Sequence, residues 1–133
     1  MRVVVPDASA VVAALVDSGP DGEWAATRLS GADLIAPHQM PFETANILRR
    51  QELAGEISAD QAVQAHVDLL DLPVQYFPYY TLAHRSWQLR RNLSIYDASY
   101  VALAELASAN LVTLDRRIAR APGVRGAVVT PES

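Results

Sequence analysis

Five short apolar runs punctuate the chain: RVVV (2–5), DLIA (33–36), VQYF (74–77), LVTL (111–114) and GAVVT (126–130). The first three stop at proline, and each run is too short for a buried helix, so all five read as strands. Helical patterns fill the intervals. They cover 8–16 and 21–30, split by Gly19-Pro20, then Pro41 to about Ala54, closed by Gly55. A Ser58-capped helix reaches about Leu72 with Ala62, Val63, His66, Leu69 and Leu70 along one side, and further helices cover 80–91, 96–108 and 116–121. Short apolar strands alternating with helices predict one α/β domain over residues 1–133, with a mostly parallel sheet and helices on both faces. In such sheets functional groups gather at the carboxyl ends of the strands.

Composition removes whole classes of chemistry. The 133 residues include no cysteine, which excludes disulfides, thiolate nucleophiles and zinc–thiolate sites. The three histidines, His38, His66 and His84, are too scattered for a histidine-rich metal site. All eleven basic residues are arginine, so the P-loop lysine and Schiff-base chemistry are absent. No apolar run approaches the roughly 18–20 residues of a membrane span, and MRVVVPDAS is too short an apolar core for a signal peptide. A cytoplasmic protein is expected. The net charge of −4 is unevenly spread: residues 1–79 carry four Arg against eleven acids, and residues 80–130 carry seven Arg against three. A basic second half on an acidic chain is compatible with local contact to phosphate, and equally with solvated helix faces.

Two phrases are nearly repeated: PDASAVVAAL at 6–15 and YDASYVALAEL at 96–106. Asp7 follows the first strand and opens a helix, Asp115 follows LVTL and opens another, and Glu43 and Asp97 sit in the first turns of theirs. Each has an ordinary structural role open to it. Asp7 and Asp115 suit N-caps, Ser94 and Asp97 match a capping box, and Glu43 complements a helix dipole. Jointly they ask for more. In a doubly wound sheet all four fall at one edge, where close carboxylates repel unless a cation neutralises them. An all-oxygen cluster selects a hard ion, Mg2+ or Mn2+, which acidifies water and braces a phosphoryl oxygen during phosphodiester hydrolysis.

PDAS, FETANIL (42–48), YDASYVALAE and LVTLDRR (111–117), in that order, make the chain resemble the PIN-domain ribonucleases, and most of all the VapC-type toxins of bacterial toxin–antitoxin pairs. The resemblance spans essentially the whole chain, and the four acidic positions match without departure. It implies a three-layer α/β/α fold with a four- or five-stranded, mostly parallel sheet. It further implies a Mg2+-dependent endoribonuclease (Mn2+ serving as well) with an acidic pocket of Asp7, Glu43, Asp97 and Asp115, a homodimer, and a small antitoxin that blocks the pocket.

Neighbours are placed by position. Ser9, Asn46 (three residues beyond Glu43 on the same helix) and Thr113 (on the strand face of Asp115) are candidates to orient the carboxylates rather than to bind metal. Arg90, Arg91, Arg116 and Arg117 are candidates for RNA phosphate, which guanidinium groups bind bidentately. Trp24, Trp87, Tyr76, Phe77, Tyr79 and Tyr80 could stack bases, but core or dimer packing is the simpler expectation. The helix behind Asp97 is apolar around most of its circumference and suits a central, buried position. Two rivals stay open. One is a non-catalytic RNA- or protein-binding module that docks a basic segment in the acidic pocket. The other is a phosphoaspartyl enzyme, against which the missing lysine weighs.

Overall fold

The computed structural model describes residues 2–132 and contains five strands and seven helices in the order β1 (Val3–Pro6), α1 (Ala8–Val16), α2 (Pro20–Leu29), β2 (Asp33–Pro37), α3 (Met40–Leu53), α4 (Ala59–Asp71), β3 (Val74–Phe77), α5 (Tyr79–Gln88), α6 (Ile95–Ala107), β4 (Asn110–Val112), α7 (Arg116–Arg120) and β5 (Val128–Val129). The sheet order is β3-β2-β1-β4-β5 and every pairing is parallel. The chain builds outward from β1 through β2 to β3, then returns to place β4 on the other side of β1. The strand order therefore reverses between β1 and β4, and the crevice at their carboxyl ends is where open α/β sheets place their ligands.

The pleat sorts the strand side chains into two layers. Val5, Ile35 and Leu111 face α5 and α6, packing with Leu82, Val101 and Leu103. Val4, Leu34 and Val112 face the other way, toward Ala10 of α1 and Trp24 and Leu29 of α2. The result is the expected α/β/α sandwich with five strands. α6 lies at its centre, with every residue from Ala98 to Ala104 buried. α2 also approaches α1 closely. A Cβ on Gly22 would stand 1.7 Å from the Asp17 carbonyl oxygen, so only glycine fits there. No helix among the described residues is long and apolar enough to cross a membrane.

Three details differ from the pattern read in the sequence. α4 buries Ala62, Ala65 and Leu69, while Val63, His66 and Leu70 face solvent. The helix packs through alanines onto α1 and α3, near Val12 and Leu48, and close approach rather than residue hydrophobicity selects its inner face. α5 ends at Gln88, because Leu89 turns into the core and Arg90 and Arg91 fall in the turn beyond it. β4 ends at Val112, so Thr113 and Leu114 form a short link before Asp115.

Candidate active site

Asp7 stands at the carboxyl end of β1, where it caps α1 and is 5% exposed. Both carboxylate oxygens are engaged. Oδ1 accepts from Ser9 Oγ at 2.6 Å and from the Ala10 amide at 3.0 Å, and Oδ2 accepts from Thr113 Oγ1. Ser9 Oγ also reaches across the crevice, accepting from the Leu114 amide at 3.1 Å, while Thr113 Oγ1 accepts from the Asp115 amide of its own turn at 3.0 Å. Ser9 and Thr113 thus join the turn after β1 to the turn after β4. Burial raises the Asp7 pKa above the ordinary value, against the pull of these hydrogen bonds, and Asp97 raises it further.

Glu43 arrives from the first turn of α3, which Pro41 helps to start. It is half-buried, and its Oε1 accepts a 2.8 Å hydrogen bond from the Tyr100 hydroxyl. Burial raises its pKa, and Asp97 and Asp7 add repulsion. Asp97 begins α6, where its amide donates to the Ser94 hydroxyl at 3.0 Å; this is the cap, without the reciprocal bond of a full capping box. Its pKa is raised by burial and by Asp115, with Arg117 and Ser94 partly offsetting. Asp115 caps α7 and is held differently: Arg117 donates to it from its backbone amide at 3.0 Å and from its guanidinium at 3.0 and 2.6 Å, lowering its pKa. Tyr100 is 1% exposed, and burial together with the neighbouring carboxylates keeps it a protonated donor. Gln39 Nε2 donates to the Tyr96 carbonyl at 3.2 Å, so α3 and α6 are also joined beside the acids.

The structure brings all four carboxylates into one electrostatic neighbourhood, with Asp97 coupled to Asp7, Glu43 and Asp115. Among the described residues, no three of them stand at the spacing of a closed metal-ligand set. The Asp7 oxygens are committed to Ser9, Ala10 and Thr113, and Asp115 is committed to Arg117. The donor chemistry nonetheless fits a hard cation: the groups are all oxygen, no histidine enters, and Asp7, Glu43 and Asp97 form no ion pair among the described residues.

The other candidates divide. Ser9 and Thr113 touch Asp7 directly, whereas Asn46 is exposed and its side chain makes no hydrogen bond among the described residues. Arg117 reaches the site. Arg116 donates instead to the Pro131 carbonyl at 3.0 Å, and Arg90 lies over the Trp87 ring at 4.6 Å. Arg91 is exposed. The three histidines are on the surface. Of the aromatics, Tyr76, Phe77 and Trp24 are half-buried, but Tyr79, Tyr80 and Trp87 stay largely open, as do Phe42 and Tyr96. The residue missed in the sequence is Tyr100, which reads there as part of an apolar helix. Its position three residues after Asp97, on the same helix face, was the available signal.

The PIN domain family model matches residues 4–124. Ribonuclease VapC1 of Mycobacterium tuberculosis is 40% identical over 125 residues, covering 93% of this chain and 94% of its own. Among solved structures, M. tuberculosis VapC20, described as a Sarcin-Ricin loop cleaving toxin, superposes with a TM-score of 0.68 at 18% identity, covering 96% of this chain and 99% of its own. VapBC-5 of M. tuberculosis, a member of the VapBC family of toxin–antitoxin systems, matches with a TM-score of 0.63 at 17% identity, covering 98% of this chain and 100% of the other. At those identities the two structures speak for the fold, while the family model and the VapC1 match decide the lineage: the chain belongs to the PIN-domain family, in its VapC group.

Proposed function

We propose that the protein is a divalent-metal-dependent endoribonuclease, the toxin of a toxin–antitoxin pair, acting in the cytoplasm. What supports this reading is that Asp7, Glu43, Asp97 and Asp115 lie within electrostatic reach of one another, with three of the four held above their ordinary pKa by burial and mutual repulsion. Uncompensated carboxylates at a ligand-binding crevice favour a cation. Asp7, Glu43 and Asp97 would hold Mg2+ or Mn2+, with Asp115 joining on release from Arg117. The ion would supply Lewis-acid stabilisation of the phosphoryl group and a lowered pKa for water.

The chain's own residues do the rest. Ser9 and Thr113 fix the Asp7 carboxylate, so its orientation costs nothing at the moment of reaction. Arg117 is 84% exposed beside the acids and is free to exchange Asp115 for an incoming phosphate. In-line attack of water on phosphorus breaks the P–O3′ bond and leaves a 5′-phosphate and a 3′-hydroxyl. Unpaired RNA is the fitting substrate, because a loop can enter a crevice that a duplex cannot. Phe42, Tyr79 and Tyr96 line one exposed aromatic patch next to the acids, which supports a homodimer formed through this face.

A specific observation also supports the antitoxin. Arg117 already seats a guanidinium on Asp115, so an arginine from a basic partner segment fits the same acidic ground. A protein that only docked such a segment would be a binding module rather than an enzyme. Cleavage of an end-labelled structured RNA separates the two: discrete cuts with Mg2+ or Mn2+, lost in EDTA and in Asp97→Asn, are expected of the enzyme. Cuts that persist in both would contradict it.

A further inference from the structure

Resting on the proposed metal-dependent reading, we infer that Tyr100 is a positioning residue that fixes Glu43 for the cation through the hydrogen bond from its hydroxyl to Glu43 Oε1.

A buried tyrosine must find a partner for its hydroxyl, and a nearby backbone carbonyl would satisfy it. Tyr100 instead gives its one proton to a carboxylate 57 positions away, at 2.8 Å. One hydroxyl thereby links α6, which carries Asp97, to the first turn of α3, which carries Glu43.

Glu43 has the longest and most flexible side chain of the four. Asp7 is held by Ser9 and Thr113, and Asp115 by Arg117, whereas Tyr100 is the only side chain hydrogen-bonded to Glu43 among the described residues. With Oε1 engaged, Oε2 has no protein hydrogen bond among the described residues and remains available. The ring lies in the core shared with Val101 and Leu103, so its position is set by packing. Docking of α3 on α6 does not depend on the hydroxyl, because Gln39 spans the two helices independently.

The test is Mn2+ binding, measured by calorimetric titration of the purified full chain, for wild type, Tyr100→Phe, Glu43→Ala and the double variant, beside thermal melts in EDTA. Tyr100→Phe is expected to weaken Mn2+ binding about tenfold, the usual scale for losing a group that orients a ligand. Its melt in EDTA should stay close to wild type. In the Glu43→Ala background the same substitution should change Mn2+ binding no further, since its effect passes through Glu43. Wild-type binding in Tyr100→Phe, an equal loss in both backgrounds, or a collapsed melt marking a merely structural tyrosine would each overturn the inference. Absence of Mn2+ binding by the wild type would overturn the proposed function itself, and the inference with it.

Discussion

The turns after β1 and β4 are written alike, a buried strand and then an aspartate that caps a helix, yet they hold that aspartate in opposite ways. Asp7 is buried among neutral donors, and its pKa is raised; Asp115 is exposed enough to take a guanidinium, and its pKa is lowered. The difference lies two residues downstream of each aspartate. Ser9 offers a short hydroxyl that folds back without adding charge, whereas Arg117 offers a long cation. One helix cap therefore leaves its carboxylate with neutral partners and no paired charge, while the other holds it in an ion pair. Capping and chemistry are compatible uses of the same residue, and the ordinary structural roles open to Asp7 and Asp115 are both realised.

The largest expected effect tests the Asp7 end. Asp7→Asn keeps the cap acceptor but removes the charge, and the loss of several kcal/mol of cation-mediated stabilisation should slow RNA cleavage about a thousandfold. Its melting temperature in EDTA should be unchanged or higher, because a carboxylate whose pKa is raised by burial opposes folding at neutral pH. Asp115→Asn, removing a residue already paired, should slow cleavage much less. Equal losses at the two positions would erase the distinction between them.

Thr113→Val addresses the link between the turns. It leaves a buried Asp7 oxygen and the Asp115 amide without their partner, and should destabilise the protein by about 2 kcal/mol in urea unfolding. A smaller effect comes from pH. With metal removed, Asp7, Glu43 and Asp97 have folded pKa values above their unfolded ones, so their share of stability is lost as pH rises through the folded values. Asp115 and Glu105 have depressed values, and their share is lost as pH falls below about 4. The melting temperature in EDTA should therefore rise as pH is lowered from neutrality toward the ordinary carboxylate range and fall below about pH 4. Saturating Mg2+ should remove the rise. The smallest effect belongs to the Asp115 end: Arg117→Ala should lower the melt only slightly, because the ion pair is solvent-exposed, and tighten Mn2+ binding a few-fold, by freeing Asp115.

Much of the fold was legible in the sequence, for identifiable reasons. Strands such as VVVP and DLIAP are short, apolar and ended by proline, and their burial on both faces leaves little ambiguity. Where packing distance decides, the letters mislead. Val63 and Leu70 are more hydrophobic than Ala62 and Ala65, yet α4 turns the alanines inward because only they let it lie close to α1 and α3. The four acids could be placed at one sheet edge because strand ends and helix starts fix them. Which charges remain unpaired could not, since Arg117 was as good a phosphate ligand by residue type as Arg90, which folds back on Trp87. Tyr100 was masked by its apolar helix: its place three residues after Asp97 put it on the acidic face, but only the folded structure shows its hydroxyl reaching Glu43.

If these carboxylates hold a hard cation between them, anomalous diffraction from crystals soaked in Mn2+ shows it most directly. The expected result is a peak bounded by Asp7, Glu43 and Asp97, absent from Asp97→Asn crystals. A peak elsewhere on the molecule, or none there at saturating Mn2+, would contradict the shared cation site.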